Sequence, residues 1–442
     1  MGNLATPPSV QKLQTALHAK AKENPSFRFY ALYDKLYRAD VLQYAYACCK
    51  ANQGAPGVDG KRFEDIEAYG LEQWLGELVL DLKKETYQPE AIRRVYIPKP
   101  NGKLRPLGIA TIRDRVAMTA AALVLGSIFE ADLPAEQYGY RAERSALDAV
   151  RQVHNLLNTG HTQVVDADLS EYYETIPHEG LLKSVARRVV DRRVLHLIKM
   201  WITAAVEDTD ERGNKKRTTR NREEKRGLPQ GSPLSPLLSN LYMRRFVLGW
   251  KRLGYEQRFG GRIVTYADDL VICCKRRAEE ALVQMRQIMQ RLRLTVNEEK
   301  THVCRVPDEY FHFLGYQFGR LFSTKTGKAY LGTYPSKKSV TRLIRSIHEL
   351  TDHRRCWLDA AELVKSLNRM LCGWANYFKL GPVGKAYRAI DKYTTTRLRR
   401  WLRRKHKVRT RGIGCYPDEY LYGNLGLVRL PVLTRNLPWA QA

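Results

Sequence analysis

Two adjacent carboxylates, Asp268 and Asp269, interrupt the segment VTYADDLVICC between apolar runs that favour a strand, a turn and a second strand. Neighbouring carboxylates repel each other and resist burial, so such a pair persists where cations neutralise it. Hard divalent ions such as Mg²⁺ prefer carboxylate oxygens, and two-metal sites use carboxylates that bridge both ions. Taken alone, the pair is better explained as an ordinary acidic turn.

A second acidic strand end strengthens the metal interpretation. In VVDADLSEYYETIPH, Asp168 ends an apolar strand predicted over 161–170, as Asp268 does in its own segment. Asp166 alternates with Asp168, so both side chains are expected to face the same way. The sequence therefore predicts a metal site to which both strand ends contribute.

The elements that must position these residues follow from hydrophobic periodicity. Pro-Asn-Gly in IRRVYIPKPNGKLRPLGI (92–109) predicts a hairpin, and 311–318 is predicted as one strand. Helices are predicted over 9–50, 64–86, 113–131, 178–190, 235–250 and 277–293. After about residue 335 the strands stop and basic helices follow, one of them ended by Gly381-Pro382. The expected fold class is α+β, followed by an all-helical region.

Composition indicates a folded protein with a polyanionic partner. Hydrophobic residues make up 44% of the 442 residues, which suffices for a core and excludes a disordered chain. The 75 Lys and Arg outnumber the 46 Asp and Glu, so the net charge is +29. This excess favours nucleic acid as the partner over a basic surface kept only for solubility.

The remaining composition predicts a cytoplasmic protein without a membrane anchor. None of the eight cysteines forms a C-x-x-C pair, which disfavours a structural zinc site and favours free thiols in a reducing compartment. The N-terminus lacks the apolar core of a secretion signal. No apolar run reaches about 18 residues, so no membrane span is expected.

The chain resembles the reverse transcriptases that are encoded by group II introns and that double as splicing factors, or maturases. A single motif such as YADD is weak, whereas the ordered series along nearly the whole chain is highly specific. The motifs are GAPGVDG (54–60), IPKPNGKLRPLGIATIRDR (97–115), YGYRAERSALDA (138–149), DADLSEYYETIPH (166–178), GLPQGSPLSPLLSN (227–240), YADD (266–269), LTVNEEKT (294–301), FLGY (313–316) and GWANYFKLG (373–381).

This resemblance implies a right-hand polymerase with fingers over 1–165, a palm with the catalytic carboxylates over 166–325 and a helical thumb, or domain X, over 335–442. The implied activity is RNA-directed DNA polymerisation with two Mg²⁺ ions, for which Mn²⁺ could substitute. The implied partners are an RNA template, structured intron RNA, a DNA primer or target and dNTPs. Intron RNA binding would assist splicing and mobility, and nucleic acid would associate the protein with the bacterial nucleoid.

The resemblance also implies roles for the acidic residues. Asp168 and Asp268 would hold the two metals, with Asp269 beside the primer end and the carbonyl of Leu169 completing a coordination sphere. One ion would activate the primer 3′-hydroxyl and the other would stabilise the leaving pyrophosphate.

A nucleotide pocket is implied next to this site. Lys99 and Arg105 would grip the triphosphate, and Gln230 would line the incoming base and sugar. Tyr173, where the family more often has Phe, would meet a 2′-hydroxyl and so select deoxynucleotides. Lys300 is either a proton donor to pyrophosphate or, equally well, part of a structural salt bridge.

The two neighbours of Tyr173 are interpreted differently, and one of them departs from the family's pattern. Tyr172 is better explained as a core aromatic than as part of the pocket. Glu174 replaces the commoner Asp, which puts the geometry around the pocket in doubt but not the metal site.

The helical region carries a strongly basic segment. Residues 385–411 contain twelve Lys or Arg against one acid, Asp391, and Leu398, Trp401 and Leu402 recur at helical spacing. The segment is therefore predicted to be a docked helix with a basic face on nucleic acid, and a solvated charged face is the alternative. The predicted contacts are Arg397, Arg399, Arg400, Arg403, Arg404, Lys405 and Lys407.

Two alternatives to an active intron-encoded polymerase stay open at this point. One is a domesticated relative in phage defence or a CRISPR-linked system, and the other is an RNA-binding splicing cofactor with a vestigial polymerase. The absence of cysteine pairs near the C-terminus resembles the shorter members of the family, which lack an endonuclease domain. Oligomeric state is not indicated by the sequence.

Overall fold

The computed structural model describes residues 4–98, 102, 104–210, 213–323, 326–409 and 413–433. The helices in these ranges, numbered along the chain, are α1 Pro8–Glu23, α2 Tyr33–Leu36, α3 Ala39–Ala51, α4 Phe63–Tyr69, α5 Leu71–Lys83, α6 Ile112–Glu130, α7 Ala146–Asn158, α8 Tyr172–Thr175, α9 His178–Ala186, α10 Arg192–Ile202, α11 Arg220–Glu223, α12 Ser235–Arg252, α13 Tyr255–Phe259, α14 Ala278–Arg291, α15 Lys337–Leu350, α16 Ala360–Tyr377, α17 Gly384–Lys405 and α18 Leu430–Leu433.

The strands of the same ranges form three sheets. They are β1 Ile92–Pro98, β2 Leu104–Ile109, β3 Gln163–Ala167, β4 Val206–Thr209, β5 Lys215–Thr218, β6 Arg262–Tyr266, β7 Asp269–Cys274, β8 His302–Arg305, β9 Phe311–Phe313, β10 Tyr316–Phe322 and β11 Ala329–Pro335. We call β6-β7-β3-β8 the central sheet, β2-β1-β4-β5 the outer sheet and β11-β10-β9 the small sheet. The α+β fold class predicted from the sequence is confirmed.

The central sheet is antiparallel throughout and forms part of the core. Val164 and Val165 of β3 are both fully buried, because successive side chains point to opposite faces and both faces are covered. β3 lies between β7 and β8. A strand in this position has no free edge, so the residue that follows it is held firmly.

The predicted hairpin over 92–109 is confirmed as β1 and β2, which pair from Arg93 opposite Ile109 to Pro98 opposite Leu104. The outer sheet continues on the other side of β1, where β4 pairs with it in parallel. β5 then returns antiparallel and carries basic side chains.

Three predicted elements are divided in the structure. The helix predicted over 64–86 consists of α4 and α5, which are separated by Gly70 at φ 110°. The helix predicted over 9–50 consists of α1, α2 and α3, because Pro25 disfavours a helical conformation at Asn24 and ends α1 there. The strand predicted over 311–318 is a hairpin of β9 and β10, whose two turn residues, Leu314 and Gly315, both have positive φ angles.

The strands end at β11 as expected, and α15, α16 and α17 then pack around a separate hydrophobic core. The prediction that Gly381 ends a helix is wrong, because α16 already ends at Tyr377. Gly381 instead has φ 74° and passes so close to Thr333 of β11 that any side chain would clash with its carbonyl oxygen. This contact joins the helical region to the small sheet.

Among the described residues, no helix combines the length and the apolar character that crossing a membrane requires.

Candidate active site

The two acidic strand ends meet at one edge of the central sheet. β3 and β7 pair antiparallel with Ala167 opposite Leu270, so the residue after β3 lies beside the first residue of β7. These two residues are Asp168 and Asp269, and Asp268 occupies the turn immediately before β7. The structure therefore brings the three predicted carboxylates to the same place, and we call these three residues the acidic edge.

The turn that carries Asp268 is fixed from outside. Tyr266 pairs with Asp269, which leaves Ala267 and Asp268 as the turn residues, and Ala267 has a φ of 58°. Gly139 passes directly over this turn, because a Cβ atom on it would lie 2.5 Å from the Ala267 nitrogen. Glycine is needed there so that the two backbones can approach.

Asp168 is held by the segment LTVNEEKT. Its backbone N donates to Thr301 Oγ1 at 3.2 Å, and its carbonyl accepts from Asn297 N at 2.8 Å. Its carboxylate Oδ2 accepts from Asn297 Nδ2 at 3.0 Å and from Lys300 Nζ at 3.1 Å. Sequence reasoning singled out only Lys300 here, although polar residues at 297, 300 and 301 within one turn were a signal for the other two.

The electrostatics are those of crowded carboxylates. The pKa of Asp269 is raised to about 6, first because protein atoms displace water around it and then because of the charges of Asp268 and Asp168. Burial likewise raises the pKa of Asp166 to about 7, with smaller contributions from Asp269 and Asp168. Asp166 thus faces the same group of acids, as its alternation with Asp168 predicts.

These residues fit a hard divalent cation, although the described residues contain no three His, Cys, Asp or Glu side chains already grouped closely enough to hold a metal. Two observations support the fit. Burial and then the charges of Asp268 and Asp168 raise the pKa of Asp269, and the Lys300 ammonium lies where a cation would contact Asp168. Leu169, predicted to contribute a carbonyl, is buried and forms a β-bridge with Val296.

The two adjacent tyrosines of α8 have different surroundings. Tyr172 is buried in the core and its hydroxyl donates to the Ser239 carbonyl at 2.7 Å. The Tyr173 hydroxyl accepts from Ser239 Oγ at 3.3 Å, and its pKa is raised by burial and, to a smaller extent, by the negative charge of Asp268. The charge of Asp268 also contributes to the raised pKa of Tyr172, so both tyrosines lie near the acidic carboxylates and differ in their hydroxyl partners.

A chain of hydrogen bonds joins the outer sheet to the site. Arg105 Nε donates to Gln230 Oε1 at 3.0 Å, and Gln230 Nε2 donates to Glu174 Oε1 at 3.3 Å. The Gly108 nitrogen donates to the Gln230 carbonyl at 2.6 Å, and a Cβ on Gly231 would lie 2.5 Å from the Gly108 carbonyl oxygen. The close backbone approach at Gly231 thus involves β2.

Gln230 and Glu174 line a cleft of about 450 Å³ at the outer sheet, and Asp168, Asp268 and Asp269 are not among its lining residues. Its volume lies in the range of about 300–1,000 Å³ that is usual for small-molecule sites. The cleft is lined by, among others, Arg94, Tyr96, Ser170, Glu174, Gln230 and Thr295. Lys99, the other residue predicted to grip the triphosphate, lies outside the described residues.

The predicted nucleic-acid contacts in α17 and just after it fall into two groups. Arg397 donates to the Thr351 carbonyl at 3.0 Å, Arg399 to the Tyr416 carbonyl at 2.8 Å, and Lys405 to the Leu358 carbonyl at 2.7 Å. These three cations bind the protein itself. Sequence periodicity placed them on the same helix but could not show which carbonyl groups lie opposite.

The second group remains available to a partner. Arg400, Arg404 and Lys407 are exposed, and their side chains make no hydrogen bond or ion pair within the described ranges. Arg403 is half-buried, and its Nε has no partner among the described atoms.

Two family profiles match the chain. A family profile described as "Reverse transcriptase (RNA-dependent DNA polymerase)" matches residues 97–318. A second profile, "Group II intron, maturase-specific domain", matches residues 340–414.

The chain is also similar to three curated proteins. The chain is 31% identical to Protein YkfC of Escherichia coli K12, over 75% of this chain and 93% of that protein. It is 30% identical to the group II intron-encoded protein LtrA of Lactococcus lactis subsp. cremoris, over 52% of this chain and 37% of LtrA. It is 25% identical to the putative COX1/OXI3 intron 1 protein of Saccharomyces cerevisiae, over 63% of this chain and 38% of that protein. The chain thus spans well under half the length of the two intron-encoded relatives.

Proposed function

We propose, from the premise that this chain belongs to the group II intron family of reverse transcriptases, that it copies RNA into DNA with its own carboxylates by a two-metal mechanism. The observation that carries this proposal is the meeting of Asp168, Asp268 and Asp269 at one sheet edge. An intact acidic set disfavours a vestigial polymerase, and no observation favours a domesticated role.

The divalent metals that this family generally uses are proposed to be two Mg²⁺ ions, which Mn²⁺ could replace. Asp168, Asp268, Asp269 and the Leu169 carbonyl would hold them, and they would supply Lewis-acid activation of the primer 3′-hydroxyl and charge stabilisation on pyrophosphate. The protein's own contribution is to keep the acids in place. Antiparallel pairing fixes Asp168 next to Asp269, and Asn297 orients the Asp168 carboxylate.

The pocket residues are proposed to position the nucleotide. Arg105 and Lys99 would contact the triphosphate, and Gln230, oriented by Arg105 and Glu174, would lie along the base and sugar. The Tyr173 ring would exclude a 2′-hydroxyl. Lys300, which forms an ion pair with Asp168, would either balance the charge of that carboxylate or give a proton to pyrophosphate.

The proposed division of the chain remains fingers over 1–165, palm over 166–325 and thumb over 335–442. In support, the helices after β11 have a hydrophobic core of their own. The proposed partners are template RNA, a DNA primer or target, dNTPs and structured intron RNA, whose splicing the thumb would assist. Support for RNA comes from the net charge of +29 and from the exposed cations of α17. The proposed location is the cytoplasm of a bacterium, on nucleic acid.

A primer-extension assay tests the metal assignment. We expect Asp168→Asn and Asp268→Asn each to slow extension about a thousandfold, since metal catalysis contributes several kcal/mol to the barrier. Asp308→Asn is the matched control, because Asp308 is paired with Arg320 and lies outside the acidic edge. RNA binding, measured in parallel, should be nearly intact in all three variants. Substantial extension by both site variants would refute the assignment.

A further inference from the structure

Trp357 is the most exposed large apolar side chain in the described part of the chain, with 77% of its surface open to solvent. It lies in the loop between α15 and α16, and its neighbours Cys356 and Leu358 pack against the core of the helical region. A single exposed apolar side chain needs no explanation by itself. Trp357 differs from such a residue because hydrogen bonds fix the backbone of its loop.

One lysine of α17 fixes the backbone on both sides of Trp357. Lys405 Nζ donates to the Cys356 carbonyl at 3.1 Å and to the Leu358 carbonyl at 2.7 Å. The start of the loop is also held, because Arg397 donates to the Thr351 carbonyl at 3.0 Å. The indole ring is therefore presented on a fixed loop, which reduces the entropy that binding a partner would cost.

The charges around the ring favour a polyanion. Arg354 and Arg355 are exposed, and neither guanidinium forms an ion pair with a described residue. The two nearby carboxylates accept hydrogen bonds from backbone nitrogens. Asp352 Oδ1 accepts from the Arg354 nitrogen at 2.9 Å, and Asp359 Oδ2 accepts from the first turn of α16. Flanking cations of this kind disfavour an apolar peptide as the occupant.

We propose that Trp357 is a stacking platform for an unpaired base of structured RNA, with Arg354 and Arg355 on the adjoining phosphates. This inference rests on the proposed function, because it takes RNA as the partner of the helical region. Aromatic rings stack on bases of any identity, and RNA-binding proteins stack such rings on bases splayed out of loops and bulges. A fully paired stem offers no free base face to the ring.

Binding of two RNA hairpins tests the proposal, one with an unpaired adenosine bulge and the other fully paired. We expect Trp357→Ala to weaken binding of the bulged hairpin by about 5- to 100-fold and to leave the paired hairpin nearly unchanged, given the usual energy of base–aromatic stacking. Trp357→Phe should restore most of the affinity because it keeps a ring. Tyr30→Ala is the matched control, since Tyr30 is 73% exposed.

Three further readouts separate stacking from charge and from folding. With 2-aminopurine in the bulge, wild type should quench its fluorescence and Trp357→Ala should not. The salt dependence of affinity should be unchanged in Trp357→Ala, whereas its slope should be lower by about 0.7–0.9 for each phosphate released in Arg354→Gln with Arg355→Gln. Thermal unfolding should not change in Trp357→Ala, because the ring packs little.

Several outcomes would overturn the proposal. They are equal affinities of wild type and Trp357→Ala for the bulged hairpin, an equal loss for both hairpins, or an equal loss in Tyr30→Ala. Tighter binding of the same bulged hairpin made of DNA would assign the platform to DNA and also overturn it. The binding assay needs neither metal nor dNTP, so its failure is distinguishable from a failure of the wild type to extend a primer.

Discussion

The ammonium of Lys300 lies 3.1 Å from Oδ2 of Asp168, the carboxylate that follows the central strand β3. The same oxygen also accepts a hydrogen bond from Asn297 Nδ2 at 3.0 Å. Lys300 and a divalent ion would therefore compete for one carboxylate oxygen. This competition gives Lys300 a measurable effect on metal binding, whichever role it has in chemistry.

Replacing Lys300 by Met should lower the Mg²⁺ concentration at half-maximal primer extension by about two- to fivefold, since an exposed ion pair contributes roughly 0.2–1 kcal/mol. The measurement is extension rate across a Mg²⁺ series. The rate at saturating Mg²⁺ separates the two roles, because loss of a proton donor would slow it about a hundredfold or more, whereas loss of a salt bridge would not.

Lys183→Met is the control for this series, because Lys183 forms an exposed ion pair with Glu179 on α9. Its Mg²⁺ midpoint should equal that of wild type. A midpoint in Lys300→Met that equals or exceeds the wild-type value would contradict the competition.

Tyr173→Ala should admit ribonucleotides. The full ring would clash with a 2′-hydroxyl at a cost of order 1–3 kcal/mol, so discrimination between dNTP and rNTP should fall by about 10- to 100-fold. Tyr173→Phe is the matched control, because it keeps the ring and loses the hydroxyl that forms the 3.3 Å hydrogen bond with Ser239. The measurement is kcat/KM for single-nucleotide incorporation. If Tyr173→Ala discriminated between dNTP and rNTP as well as wild type does, another residue would have to exclude the 2′-hydroxyl.

Local sequence patterns were sufficient where an element is defined by its own residues. The hairpin around Ala267 and Asp268 is flanked by two apolar runs, and the structure has β6 and β7 there. Asp168 follows β3 and Asp269 begins β7, so the antiparallel pairing of these two strands brings their carboxylates together. This is why the acidic edge could be predicted from the sequence.

Features that depend on distant contacts could not be predicted in the same way. Leu314 has a positive φ, a conformation that is unfavourable for a bulky apolar residue. Its carbonyl accepts a 2.8 Å hydrogen bond from the Tyr377 hydroxyl of α16. Likewise, the sequence shows that Arg399 is basic but not that the Tyr416 carbonyl faces it. The sequence alone predicts a regular strand for Leu314 and an RNA contact for Arg399, because the partner of each residue lies elsewhere along the chain.

His154 should make stability depend on pH. Burial lowers its pKa, and its Nδ1 lies 2.8 Å from Thr333 Oγ1, which joins α7 to β11. Because the folded state holds this imidazole neutral, its stabilisation is present above the unfolded pKa of about 6.5 and is lost as pH falls through the lower folded value.

We therefore expect the free energy of unfolding to fall more steeply between about pH 7.5 and pH 5.5 in wild type than in His154→Gln, by less than about 1.4 kcal/mol per pH unit, the limit for one group. Denaturant unfolding at both pH values measures this. His196→Gln, at an exposed position of α10, should follow wild type. Parallel pH profiles for wild type and His154→Gln would show that His154 titrates alike in the folded and unfolded states.

The division of cations on α17 predicts that RNA binding and folding can be separated within one helix. Arg400 and Arg404 are exposed without a partner among the described residues, so replacing both by Gln should weaken RNA binding and leave stability unchanged. Each phosphate that is no longer neutralised should lower the slope of log affinity against log salt by about 0.7–0.9.

The matched double variant, Arg397→Gln with Arg399→Gln, removes the same charge from the same helix. Here we expect destabilisation, because both guanidinium groups donate to backbone carbonyls and removing each hydrogen bond costs about 1 kcal/mol. The salt slope should stay near the wild-type value. Affinity for a structured RNA across a salt series, beside thermal unfolding, compares the two variants directly. An unchanged slope in the Arg400 and Arg404 variant would mean that the exposed face of α17 is only solvated, and the RNA contacts would then have to lie on another part of the thumb.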